Sequence, residues 1–119
     1  MFRTLFALAL LAAPASALAQ EAEPDLTLEQ QMLLRCSAAF ALVAGAQEAG
    51  EVSALAYPDI RATGREFFVR SSAQLMDETG LSREGLAVLL SQAAQDIRTG
   101  GTLDQLMPVC LPLLPRQAM

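Results

Sequence analysis

The 119-residue chain carries 8 basic and 13 acidic side chains, a formal net charge of −5, 53% hydrophobic residues, and no His, Lys or Trp. Without His there is no imidazole base, no His-activated nucleophile and no His metal ligand; without Lys there is no Schiff base and no phosphate-loop lysine. The basic set is all Arg, scattered among carboxylates rather than gathered into a stripe, which argues against nucleic acid as a partner.

The chain opens Met1-Phe2-Arg3, continues with the apolar run from Thr4 to Ala13, and then reaches Pro14 and the small-residue stretch Ala15-Ser16-Ala17-Leu18-Ala19. This order predicts a secretory signal peptide over 1–19, cut between Ala19 and Gln20. A spanning helix needs about 20 apolar residues, and this run breaks at Pro14 before reaching that length. No Cys follows the expected cut, so no lipid attachment and no membrane contact is expected after cleavage. Loss of Arg3 would leave seven Arg against 13 carboxylates, a side-chain charge of −6. Residues 20–27, acidic and interrupted by Pro24, are expected to be a mobile tail ahead of a single helical domain over 28–119.

Thr27 stands three residues before Gln30, a capping-box spacing that predicts a first helix from Leu28 to about Ala49. At 100° per residue, Leu28, Met32, Cys36, Ala39, Phe40, Val43 and Ala46 share one broad face. Leu34, Ala38, Ala41 and Leu42 fill much of the other side. A helix apolar nearly all round is either central in a bundle or part of an interface; these four residues are a candidate interaction face, with burial as core the favoured reading because such a helix is normally enclosed.

Tyr57-Pro58 offers the next start, because proline suits a first helical turn, and predicts a helix from Pro58 to Thr79. Its core stripe is Ile60, Gly64, Phe67, Phe68, Ser71 and Leu75, with Gly64 marking a close approach of another helix. Gly80 takes the position of a left-handed C-cap and Ser82 that of an N-cap, predicting a third helix from Arg83 to Thr99 with the stripe Leu86, Leu89, Leu90, Ala93 and Ile97. Thr102 and Gln105 repeat the capping-box spacing ahead of a last helix carrying Leu106, Met107, Val109 and Cys110. Pro108 either kinks or ends it. The whole is expected to be all-α, a small four-helix bundle-like domain.

Cys36 and Cys110 are the only cysteines. In an oxidising compartment they are expected to pair, joining the first and last helices. Closing a loop of that length is worth about 4.5 kcal/mol at most in the chain-entropy account.

Tyr57, Arg61 and Arg65 form a candidate anion-binding face, since two guanidinium groups one turn apart can grip one ligand. The competing reading is a solvated helix face with ordinary ion pairs. Asp77, Glu78 and Glu84 supply too few oxygens at the wrong spacing for a calcium loop, so no metal is expected. No cofactor is expected either.

The signal-like start, the RCSAAF around Cys36, the GREFFVRSSAQLMDETGL stretch and the VCLPLL around Cys110 together resemble small exported proteobacterial proteins of unknown function. That resemblance implies export and brings no activity, ligand or site residue. The layout of two cysteines in a helical chain also looks like that of periplasmic acid-stress chaperones. The expectation is a periplasmic or secreted, non-enzymatic helical protein that binds another envelope protein or a second copy of itself. The alternatives are an acid-stress chaperone and a small-ligand site on the Arg-rich face.

Overall fold

The computed structural model describes residues 24–115, so the expected signal peptide and the first part of the acidic tail lie outside the described residues. Four α-helices follow in order: α1 Leu28–Glu48, α2 Arg61–Thr79, α3 Arg83–Gly100 and α4 Leu103–Cys110. A 3-10 turn, Val52–Ala56, joins α1 to α2, and a second, Leu111–Leu113, extends α4. The fold is all-α, and among the described residues there is no strand.

Helix α1 begins as its sequence predicts. The Thr27 hydroxyl accepts the Gln30 N–H at 3.1 Å and the Gln30 side chain accepts the Thr27 N–H at 3.0 Å, so two otherwise orphaned donors are satisfied reciprocally. Its neighbours then bury it from several sides. Leu75 of α2 packs with Leu34 near the start of α1, whereas Ile60 at the head of α2 reaches Gln47 near its end, so the two helices are antiparallel. Leu86 at the start of α3 also joins Leu34, while Ile97 near its end joins Phe40 and Val43, so α3 runs with α1. Helix α4 returns antiparallel, with Asp104 near the end of α1 and Cys110 bonded to Cys36. The result is an up-down-up-down bundle in which α1 contacts all three other helices and α2 meets α3 only over a short stretch.

The core is two clusters that share α1. The larger holds Cys36, Ala39, Phe40, Val43, Ile60, Phe67, Ile97, Met107 and Cys110, and the rings of Phe40 and Phe67 meet edge to face at 5.1 Å. The smaller holds Leu34, Leu75 and Leu86. Gly64 is buried where α2 crosses α1. A Cβ there would stand 3.4 Å from the Phe40 Cβ, in ordinary contact, so the helices pack side by side here but not closely enough to require the glycine.

Several expectations are corrected. Of the two readings of the second apolar side of α1, central or interface, the structure shows the central one, and the candidate interaction face is largely core: Leu34 and Ala38 are buried at 9% and 2% exposure, and Leu42 is half-buried against the larger cluster. Only Ala41 is exposed. The reason is that α1 is central, so its second apolar side meets α2, α3 and α4 in place of a partner. Leu28, assigned to the core face, is 77% exposed because it precedes the reach of the neighbouring helices. Leu26 packs against the smaller cluster in its stead, its carbonyl accepting from the Gln31 side chain at 3.2 Å.

Helix α2 starts at Arg61 rather than Pro58. The Gln47 amide explains the delay: it donates to the Pro58 carbonyl at 2.7 Å and to the Ala54 carbonyl at 3.3 Å, and accepts the Ile60 N–H at 3.1 Å. These bonds hold residues 58–60 against α1 in a non-helical connection, and the Asp59 carboxylate accepts the Arg61 N–H at 3.1 Å.

The capping box expected at Thr102 is also absent. Gly101, at φ +63°, ends α3 in the left-handed conformation and directs the Thr102 N–H back to the Ile97 carbonyl at 3.2 Å. That closure leaves Thr102 at φ −98°, ψ 2°, away from the extended backbone an N-cap side chain needs. Helix α4 continues through Pro108 to Cys110, so the proline does not end it.

Candidate functional site

The disulfide is present, with the Cys36 and Cys110 Cα atoms 5.3 Å apart and both residues fully buried. It fastens an eight-residue helix to one of 21 residues. At 1.5 Å per residue, α4 is about 12 Å long against about 31 Å for α1, so the fourth edge of the bundle is only partly covered.

Among the described residues this leaves an open groove of about 650 Å³ along the seam between α3 and α4, bordered also by α1. Leu34, Leu89, Ala93, Ile97 and Leu106 supply the apolar surface. Gln31 and Arg35 stand one turn apart on the α1 edge, and Gln92 and Asp96 one turn apart on the α3 edge. Leu26 closes one end and Thr102, at the α3–α4 corner, the other. Leu89 and Ala93 belong to the stripe predicted to be core, yet both remain half-buried because no described element lies over them. A second groove of about 600 Å³ lies at the far end of α1, between Ala46, Ser53, Tyr57 and Arg98.

Of the candidate anion face, Arg61 and Arg65 line one surface depression together with Asp59 and Glu48, while Tyr57 lies apart from it. Arg61 is taken by Asp59 through two charge-assisted bonds of 3.0 and 2.9 Å, and Arg65 faces Glu48 of α1 at 3.3 Å. Tyr57 turns to the opposite partner and donates its hydroxyl to Asp104 of α4. Two guanidinium groups matched by two carboxylates leave no net positive charge for an incoming anion, which is the solvated-pair reading of this face. These pairs are all more than half exposed on at least one side and contribute little to stability.

The electrostatics follow from the same contacts. Hydrogen bonds from Arg61 hold the Asp59 carboxyl down at about 2, and Asp59 in turn raises the Arg61 guanidinium. The bond to Asp104 pushes the Tyr57 phenol up to about 12, because ionisation would remove the donated proton and set a phenolate beside a carboxylate. Among the described residues, no three of His, Cys, Asp and Glu gather closely enough to hold a metal ion.

Sequence reasoning missed the groove and Gln47. The groove arises from a mismatch of helix lengths, and the signal for it was Pro108, Pro112 and Pro115 crowding the last segment. Gln47 gave no signal, since its partners are backbone groups 7 to 13 residues away. No family model, curated protein or solved structure matches the chain.

Proposed function

We propose that this protein is an exported, non-enzymatic helical module that acts in the cell envelope by binding another protein. The observation that carries the reading is the seam between α3 and α4, the larger of the two open grooves described above, where half-buried apolar residues lie beside polar and charged ones. Binding surfaces combine those two features, and the volume lies in the range of a binding cleft. Export is supported by the signal-like order of residues 1–19 and by the buried disulfide, which suits an oxidising compartment. A non-enzymatic role is supported by the missing His and Lys, and by arginines already engaged with carboxylates.

The test is affinity capture of the tagged protein from cross-linked cell envelopes at neutral and at acid pH, with the captured proteins identified by mass. One stoichiometric partner at both pH values is the expected result. A broad set of captured proteins appearing only at acid pH would make it a stress chaperone instead, and an inert monomer at both would overturn the reading.

A further inference from the structure

The seam has the dimensions and chemistry of a place for a helix. Both helices that border it over its full length are long, 21 residues in α1 and 18 in α3, and only the short α4 covers the fourth edge. From Leu89 to Asp96 the uncovered length of α3 corresponds to about 10 Å, or roughly two turns of helix. Leu89 and Ala93, both half-buried, are the residues a longer fourth helix would cover in a bundle of this topology.

The rim then says what kind of helix. Arg35 and Asp96 are both exposed, line the groove from two different helices, α1 and α3, and form no ion pair among the described residues. Each stands one turn from an amide side chain, Gln31 beside Arg35 and Gln92 beside Asp96. A helix whose apolar stripe is bordered by a carboxylate on one side and a cation on the other would satisfy both edges. One bordered by like charges would be repelled along one of them.

We propose that the seam between α3 and α4 is the seat of an amphipathic helix from a partner protein, about two turns long, with an apolar stripe flanked by acidic residues on one edge and basic residues on the other. This rests on the protein-binding reading above and specifies the partner's chemistry. A small apolar ligand fits less well, since an open trough would leave much of it in water. A second copy docking seam to seam would set two concave surfaces against each other, leaving both floors unfilled.

The experiment uses the disulfide-closed protein recovered from the envelope and three labelled synthetic helices that share one Leu stripe at i, i+3, i+4 and i+7. One carries Glu on one edge and Lys on the other, one Glu on both edges, and one Lys on both. Fluorescence anisotropy is expected to show saturable one-to-one binding with the mixed helix preferred. Asp96→Arg makes both rims basic at an exposed position, so the preference should move to the all-Glu helix by about fivefold, whichever direction the helix lies. Leu89→Arg should abolish binding of all three. No saturable binding, a preference indifferent to Asp96→Arg, or self-association lost on Leu89→Arg would each overturn the proposal. If the peptides fail while a stoichiometric partner is still captured from envelopes, the seam is wrong and the binding reading stands. If both fail, both fall.

Discussion

Gln47 shows how much one side chain can organise. It bonds three backbone groups of the α1–α2 connection, and each such bond is worth about 0.5–1.5 kcal/mol net. Gln47→Ala should therefore cost about 2 kcal/mol in chemical denaturation. Gln47→Glu should cost at least as much, because a carboxylate cannot donate to the Ala54 and Pro58 carbonyls. Tyr57 ties the same connection to α4 and is the chain's only tyrosine, so its ionisation can be followed directly by phenolate absorbance. The expected midpoint is about 12 instead of 10. With the folded value raised, stability from this group is complete below pH 10 and lost as the pH rises toward 12. Tyr57→Phe should remove that alkaline loss and lower neutral stability by about 1 kcal/mol. A midpoint near 10 would show that the bond to Asp104 is not held in solution.

At the scale of elements, the caps separate sequence pattern from realised geometry. Thr27 and Ser82 both accept the N–H three residues on, at 3.1 and 3.0 Å, and both positions were legible from the sequence. Thr102 has the same pattern and makes no such bond. Thr27→Ala and Ser82→Ala should each lower stability by about 1 kcal/mol, and Thr102→Ala by less than about half of that, as measured by urea unfolding. The lesson is that a local motif is read correctly only when no neighbouring element has already set its backbone. At Thr102 the Gly101 turn had, and at Pro58 the Gln47 amide had. The stripes of α2 and α3 were legible because hydrophobic periodicity survives such local competition. The fate of the second apolar side of α1 was not, since burial of Leu34 and Ala38 depends on where Leu75 and Leu86 arrive from far along the chain.

For the molecule as a whole, the disulfide and the open seam are two consequences of one short helix. Eight residues interrupted by Pro108 bury little surface of their own beyond Met107 and Cys110, so the covalent link across 74 positions holds α4 on α1. Replacing both cysteines with Ala should lower stability by about 3–4.5 kcal/mol and lower the Tm. Reduction of the wild-type protein should release α4 to amide exchange before α1 and α2. The pairing could be read from two cysteines in a chain whose opening residues predict export. The seam could not, because it lies where, among the described residues, the short α4 leaves part of the space beside α1 and α3 uncovered. The most direct test of the account places a photo-cross-linking residue at Leu89 or Gln92 in the seam, and at Val69 on the outer face of α2, and activates each in living cells. A single discrete adduct from both seam positions and none from Val69 is the predicted result; adducts from Val69 with none from the seam would contradict it.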